Sequence, residues 1–163
     1  LLGFRLPGYE TSVRKQIRLA EKFYFIDTGI SREIEKALAI PLIDHSSYYS
    51  CLFETFIVLE IKKLIEYHRL DWTMSYLRTK DDVEIDLVIS RPKNSPILIE
   101  IKSTTKILDS DLKSLLSLGQ DLDKSHKKIC PKIVISQDPQ SREIDAVSCW
   151  HYSQLISRLL QYS

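Results

Sequence analysis

Glycine is scarce in this sequence: among 163 residues there are four, at positions 3, 8, 29 and 119. Phosphate-binding loops, dinucleotide-binding turns and nucleophile elbows each need glycines at fixed spacing, because the backbone there approaches a ligand closely or turns sharply. The sequence contains none of these motifs. We therefore predict that this chain does not hydrolyse ATP.

Cysteines and long apolar runs are also few. The three cysteines, Cys51, Cys130 and Cys149, are an odd number without the spacing of a disulfide framework, which favours a reducing cytoplasm over secretion. No apolar run approaches the ~18 residues of a membrane-spanning helix, and no signal-peptide pattern opens the sequence. We expect a cytoplasmic protein with no membrane partner.

Neither sign of charge dominates the sequence. Lys and Arg number 23 and Asp and Glu number 22, so the formal net charge is +1 and any face that binds nucleic acid must be local. One basic cluster, Lys124, Lys127, Lys128 and Lys132, could contact phosphates, although a solvated loop is the usual explanation for such a run. The hydrophobic fraction of 44% is enough for a single globular domain with a sizeable core.

The apolar pattern predicts alternating helices and strands. Helices are expected at residues 50–69, as the main buried helix, at 110–124, and in two shorter segments capped by Ser31 and Ser153. Strands are expected within 22–30 and at 73–79, 83–90, 96–103, 132–136 and 147–152. This order predicts an α/β sandwich with a mixed sheet.

Two neighbouring strands carry charges within otherwise apolar sequence. The stretch VEIDLVISRPKNSPILIEIKS places Asp86 in one strand and Glu100 and Lys102 in the next. Such charges are costly unless they are paired. If the RPKNS loop closes a symmetric hairpin about Lys93, residues whose numbers sum to 186 face each other. Asp86 then lies opposite Glu100, and Glu84 lies opposite Lys102.

Strand alternation completes this prediction. Glu84, Asp86 and Val88 are expected on one face, and Ile85 and Leu87 on the other. Two carboxylates directly opposite each other, with Cβ atoms ~4.5–5.5 Å apart, repel unless something neutralises them. A hard divalent cation removes that repulsion and prefers carboxylate oxygens. The sequence therefore predicts a divalent-metal site, with a lysine beside it.

Glu54 is expected on the inward side of the main helix, because it forms a row with Val58, Ile61 and Ile65 at helical spacing. An inward carboxylate needs a partner. Two interpretations remain open. Glu54 belongs to the metal site, or the helix dipole stabilises it, since it is predicted in or near the first turn.

Glu54 in a helix, Asp86 in a strand and Glu100-Ile101-Lys102 in the adjoining strand resemble the PD-(D/E)XK nuclease superfamily. The ordered segments KFYFIDTGI, SCLFETFIVLEIKKL, YLRTKDDVEIDLVI and PILIEIKST, between residues 22 and 104, resemble the C-terminal domain of bacterial and archaeal AAA-type ATPases, Domain of Unknown Function family 4143. The resemblance implies a restriction-endonuclease-like sandwich at residues 22–163, with a central mixed β-sheet flanked by helices.

The resemblance also implies a catalytic site. Asp86, Glu100 and the carbonyl of Ile101 would hold Mg²⁺ or Mn²⁺, with Glu54 helping. Lys102 would orient or activate the attacking water and stabilise charge on the phosphate. The implied reaction is hydrolysis of a DNA phosphodiester by a metal-dependent endonuclease.

In that family the domain follows an ATPase module, so the resemblance implies an upstream ATPase partner within the full-length protein. The opening LLGFRLPGYE lacks a Met, as expected of a segment of a longer chain. Residues 1–21 are assigned to the tail of a winged-helix-like or linker region. At Asp81-Asp82 relatives tend to have a small residue and Gly, but Asp can adopt the left-handed conformation that such a turn needs.

The charged residues admit a second interpretation. Asp86, Glu100 and Lys102 could be an inherited salt-bridge cluster in a catalytically inactive module, which binds DNA or protein and regulates the attached ATPase. Glu84 is expected at a strand edge, paired with Lys102 or Arg78.

Two further groups carry weaker signals. His126, Cys130, Cys149 and His151 lack the paired spacing of a zinc site, so buried cysteines and surface histidines are the favoured explanation. Gln120 lies near the place where some nucleases of the superfamily carry a supporting Gln, although the adjacent glycine weakens the predicted helix there.

Overall fold

The computed structural model describes residues 2–9, 20–44 and 46–163. Its strands are β1 (Gly3–Leu6), β2 (Lys22–Phe25), β3 (Thr73–Arg78), β4 (Glu84–Ser90), β5 (Ile97–Lys102), β6 (Lys132–Ser136), β7 (Arg142–Ile144) and β8 (Val147–His151). Its helices are α1 (Thr28–Ile34), α2 (Ser47–Tyr67), α3 (Lys113–His126) and α4 (Leu155–Leu159). None of the helices in these ranges combines the length and the apolar character that crossing a membrane requires.

Six strands form a central mixed sheet in the order β3-β4-β5-β6-β8-β7. Strand β4 pairs antiparallel with β3 and β5, whereas β6 lies parallel to β5 and β8, and β7 pairs antiparallel with β8. Strands β5 and β6 are buried at nearly every position, as expected of central strands covered on both faces. The prediction of an α/β fold with a mixed central sheet is confirmed.

Helices cover both faces of the sheet. On one face, Ile57 and Ile61 of α2 pack in one cluster with Ile99 of β5, and all three are 0% exposed. On the other face, Leu115 of α3 packs in a second cluster with Leu98 of β5. Full burial of one such side chain contributes ~1.5–3 kcal/mol. Strand β5, which carries Glu100 and Lys102, is thereby fixed between two apolar layers.

Both predicted short-helix caps are wrong. Helix α1 begins at Thr28, because Asp27 Oδ1 accepts hydrogen bonds of 2.7 and 3.0 Å from two backbone N–H groups of the first turn. Ser31 instead lies buried within α1. Near the C-terminus, Ser153 lies inside a 3-10 turn that His151 caps, and α4 follows that turn.

Strands β1 and β7 were not predicted. They have four and three residues, which is too few for alternation to indicate a strand. Strand β1 pairs antiparallel with β2, and Leu6 at its end is 1% exposed in the core cluster of α2. The assignment of residues 1–21 to a preceding region stays a prediction, and residues 1 and 10–19 lie outside the described residues.

Candidate metal centre

The hairpin of β4 and β5 has the predicted register, in which paired residue numbers sum to 186. The pairs are Leu87 with Ile99, Val88 with Leu98 and Ile89 with Ile97. Lys93, at the centre of the loop, takes the left-handed conformation with φ 62°, which allows the tight reversal of the chain. The ladder stops at Leu87 and Ile99. The two strands therefore separate before Asp86 and Glu100 are reached.

A β-bulge changes the position of Asp86. The register between β3 and β4 shifts by one residue, so that Asp86 and Leu87 together face one residue of β3. Ile85 packs in the α3 cluster, whereas Leu87 packs in the α2 cluster, so the prediction that they share a face is wrong. Val88 packs in the α3 cluster. Asp86 does not share that face as predicted, and instead lines a cleft with Glu54 of α2. Bulges commonly re-aim a side chain in this way.

The Asp86 carboxylate lies where β4 and β5 separate. Its Oδ2 accepts a hydrogen bond of 2.7 Å from the backbone N–H of Ile101. This bond replaces the backbone acceptor that β5 loses when the ladder ends. The carboxylate is thereby fixed beside the peptide of Ile101, whose carbonyl is one of the metal ligands that the family resemblance implies.

Glu100 is buried next to Lys102. Its side chain is 7% exposed, and its Oε1 accepts a hydrogen bond of 2.6 Å from Lys102 Nζ. The second oxygen, Oε2, is buried without a hydrogen-bond partner among the described residues. A buried unsatisfied acceptor costs ~1–3 kcal/mol, and more when it is charged. A cation at Oε2 would offset that cost.

Burial raises the pKa values of both acids, and repulsion from nearby carboxylates adds to each shift. Burial, followed by repulsion from Glu100 and Glu54, raises the pKa of Asp86 to about 8. Burial also raises the pKa of Glu100, although the charge of Lys102 opposes the shift. Burial disfavours the Lys102 ammonium, but attraction to Glu100 outweighs it, and the pKa of Lys102 is raised. The two acids therefore interact strongly with each other and with one retained cation.

Glu54 is held by strand β2. Its Oε1 accepts hydrogen bonds from the Tyr24 hydroxyl at 2.6 Å and from Lys22 Nζ at 3.3 Å. Burial and the charge of Glu54 raise the pKa of Tyr24, so that its hydroxyl stays a donor. Helix α2 begins at Ser47, which places Glu54 beyond the first turn. The dipole interpretation loses its basis, because that effect falls off within the first turn.

An open cleft of about 460 Å³ brings Glu54, Asp86, Ile101 and Lys102 together, whereas the buried Glu100 is not among its lining residues. It is lined by Ser47, Ser50, Cys51, Glu54, Asp86, Ile101, Lys102, Ser103, Thr104 and Asp111. The Ser50 and Ser103 hydroxyls meet at 2.7 Å. Asp111 adds to the attraction that raises the pKa of Lys102. Sequence reasoning missed Asp111, Tyr24 and Lys22, because no local pattern links them to the hairpin.

The donor set fits a small hard cation. In the described part of the chain, no three His, Cys, Asp or Glu side chains lie close enough together to hold one metal ion. Mg²⁺ is commonly bound through one or two carboxylates, which is what Asp86 and Glu100 offer. The orphaned oxygen of Glu100 leaves one acceptor free, and the raised pKa of Asp86 shows that its charged form is disfavoured as long as no cation is bound nearby.

Glu84 and Gln120 do not join the cleft. Glu84 pairs with Lys22 and lies 3.9 Å from Arg78 Nε. The predicted alignment of Glu84 with Lys102 is wrong, because the β4–β5 ladder ends before those residues. Gln120 is exposed on α3 and is not among the lining residues of the cleft.

The basic cluster contains one buried member. Lys132 is 8% exposed and its Nζ lies 2.7 Å from Asp123 Oδ2. Gly119 leaves room for the Lys132 side chain, because a Cβ at position 119 would lie 2.2 Å from Lys132 Cε. Cys130 and Cys149 are buried and free, and His126 is exposed and bonded to the Tyr9 hydroxyl at 2.8 Å.

Replacing Asp86 by Asn is expected to stabilise the metal-free protein by about 1–3 kcal/mol at pH 8, because it removes a repelled carboxylate while keeping an acceptor for Ile101 N–H. The raised pKa means that the folded protein keeps a proton that the unfolded chain loses between pH ~4 and pH 8. The contribution of Asp86 to the stability of the wild-type protein therefore falls over this range. Urea unfolding with EDTA at pH 5 and pH 8 measures the difference.

The free energy of unfolding of Asp86→Asn should exceed that of wild type by more at pH 8 than at pH 5. Asp71→Asn, at an exposed position, provides the control and should show no such widening. A variant less stable than wild type at pH 8 would contradict the repulsion inferred between the acids.

Comparison with known proteins identifies a family. The profile of the family described as Domain of unknown function (DUF4143) matches residues 50–155. The match runs from α2 through β8 and extends beyond the segments that carry the sequence resemblance. No curated protein and no solved structure matches the chain. Because the family profile covers more than half of the sequence, this chain belongs to the DUF4143 family.

Proposed function

We propose that this chain is a nuclease-like domain of the PD-(D/E)XK type that hydrolyses DNA phosphodiesters with Mg²⁺ or Mn²⁺. The observation that carries the proposal is the unpaired buried oxygen of Glu100, whose partner Lys102 lines an open cleft together with Asp86. The order of the helix and strands that carry these residues also supports a domain of the PD-(D/E)XK type. Glu54 lies on a helix, Asp86 on one strand, and Glu100 and Lys102 on the adjoining strand.

Each residue has a distinct role in this proposal. Asp86, Glu100 and the Ile101 carbonyl would hold the cation, and Glu54 would add negative charge on the same wall. The bound cation would supply Lewis-acid stabilisation of the phosphate that is attacked. The Lys102 ammonium would donate hydrogen bonds to the phosphate or to the attacking water, and would stabilise the charge that builds up during attack.

The cellular setting belongs to the same proposal. The domain would act in the cytoplasm, downstream of an ATPase module in the full-length protein, with DNA as its partner. The cleft that would receive the DNA carries more acidic than basic side chains: Glu54, Asp86 and Asp111 against Lys102. A bound cation would therefore also reduce repulsion of the phosphate backbone.

One observation favours the alternative of a catalytically inactive module. Lys102 already has an anionic partner at 2.6 Å in Glu100, so the ion pair could serve only to stabilise β5. In that case the domain would bind DNA or protein and regulate the attached ATPase. The open cleft argues for the enzyme, since a purely structural ion pair does not require solvent access to Asp86 and Lys102.

Saturating Mn²⁺ is expected to raise the melting temperature of the wild-type protein by about 5–10 °C, since ligand at 100 times its Kd adds ~2.7 kcal/mol. In Glu100→Gln the shift should largely disappear, because the orphaned oxygen would no longer be anionic. Differential scanning fluorimetry with Mn²⁺, Mg²⁺ and EDTA measures this. Glu66→Gln, an exposed change on α2, should keep the full shift.

Cleavage separates the enzyme from the inactive module. Supercoiled plasmid, linear duplex and single-stranded DNA would be incubated with Mg²⁺ or Mn²⁺ and either wild-type or Glu100→Gln protein. Metal-dependent cleavage by the wild type alone supports the enzyme. Equal cleavage by both proteins, or cleavage by neither, would remove the catalytic role.

A further inference from the structure

Glu54 reaches the cleft from α2, and contacts outside the hairpin set its orientation. Its Oε1 takes two hydrogen bonds, from the Tyr24 hydroxyl at 2.6 Å and from Lys22 Nζ at 3.3 Å. The side chain is 28% exposed and lines the cleft. One oxygen is therefore held by strand β2, and the side chain lines the same cleft as Asp86.

Of the two donors, Tyr24 is the rigid one. Tyr24 is 5% exposed, and its ring stacks on the ring of Phe4 in β1, with the two ring centroids 5.7 Å apart. Strand β1 packs closely here, since a Cβ at Gly3 would lie 2.5 Å from the Tyr24 carbonyl oxygen. Lys22, in contrast, has a flexible stem and divides its charge between Glu54 and Glu84.

We propose that Tyr24 is a positioning residue of the candidate cation site, whose hydroxyl fixes the Glu54 carboxylate on the cleft wall. This inference rests on the proposed function and adds to it a contribution from the β1–β2 pair. Hydrogen-bonded groups outside the ligands themselves typically contribute about 10–100-fold to metal affinity. Tyr24→Phe keeps the buried ring and removes only the hydroxyl, so it should weaken Mn²⁺ binding by about 10-fold.

Tyr76→Phe provides a matched control. Tyr76 is 3% exposed, and its hydroxyl donates to the backbone carbonyl of Ala20 rather than to Glu54. Both changes remove one buried tyrosine hydroxyl from the same side of the fold. A general loss of stability would therefore affect both variants, whereas a loss of Glu54 orientation would affect Tyr24→Phe alone.

Calorimetric titration with Mn²⁺ tests the proposal on wild type, Tyr24→Phe, Tyr76→Phe, Glu54→Gln and the double variant Tyr24→Phe/Glu54→Gln. We expect Tyr24→Phe and Glu54→Gln to bind more weakly, the double variant to bind no more weakly than Glu54→Gln, and Tyr76→Phe to bind as wild type. This pattern means that Tyr24 acts through Glu54.

Two results would overturn the role of Tyr24 and leave the proposed function standing. One is wild-type Mn²⁺ affinity in Tyr24→Phe. The other is that adding Tyr24→Phe to Glu54→Gln lowers the Mn²⁺ affinity by the same factor as Tyr24→Phe lowers it in the wild-type protein. If the wild-type protein itself binds no Mn²⁺, the proposed function and the role of Tyr24 both fall.

Discussion

Lys102→Gln is expected to lower the rate of metal-dependent DNA cleavage by about 10²–10³-fold, the usual cost of removing one group that stabilises charge in a transition state. Gln keeps a donor for Glu100 Oε1, which Lys102 now reaches at 2.6 Å, but it carries no charge. The fold should persist, because the side chain is one-third exposed and its hydrogen bond can be retained. Single-turnover cleavage and circular dichroism measure the two properties.

Lys106→Gln is the matched control for this prediction. Lys106 is exposed in the segment that follows β5, so its replacement removes one positive charge near the cleft without touching Glu100. Its cleavage rate should stay close to that of wild type. Equal losses in both variants would indicate general attraction of DNA rather than a role for Lys102 at the phosphate.

Asp138→Ala is expected to destabilise the fold by about 2–4 kcal/mol, because two backbone N–H groups lose their acceptor, at a cost of ~1–3 kcal/mol for each one left unsatisfied. Asp138 is 6% exposed, and it accepts hydrogen bonds from the N–H of Ile107 at 3.0 Å, the N–H of Gln140 at 3.0 Å and Arg142 Nη1 at 2.8 Å. Its removal would leave the N–H groups of Ile107 and Gln140 without their acceptor, while the Arg142 guanidinium would lose its carboxylate partner and keep the carbonyl oxygens of Gln140 and Ile107. Urea unfolding measures the loss.

The pH dependence of this effect has a definite sign. Burial alone would raise the pKa of Asp138, but the bonds from Ile107, Gln140 and Arg142 outweigh burial and lower it. The stability that Asp138 contributes is therefore present above pH ~4 and is lost as pH falls through the lowered value. Asp121→Ala, an exposed change on α3, should alter stability little; a similar loss there would contradict the special role of Asp138.

The register of the candidate site could be predicted from sequence because it depends on local chemistry. A five-residue polar loop between two apolar strands fixes the pairing of Leu87 with Ile99, and the left-handed conformations of Lys93 and Asp82 occur inside such turns. The inward position of Glu54, on the cleft side of α2, followed from its helical row. The charges of Asp86 and Glu100 could be recognised because apolar strands rarely carry them.

The remaining features depend on contacts between distant segments. The bulge that moves Asp86 away from the face of Val88 arises between β3 and β4, and alternation within β4 gives no sign of it. The bond from Tyr24 to Glu54 joins residues 30 positions apart. The cap of α1 was missed for a more local reason, since both Asp27 and Ser31 are good capping residues, and only the structure shows that Asp27 acts.

The most direct test of the proposed cation site is anomalous diffraction from a crystal soaked in Mn²⁺. We expect one anomalous peak within about 2.5 Å of carboxylate oxygens of both Asp86 and Glu100, and no peak there in Glu100→Gln crystals. Manganese bound elsewhere, with Asp86 bonded only to Ile101 N–H and Glu100 bonded only to Lys102, would contradict the site.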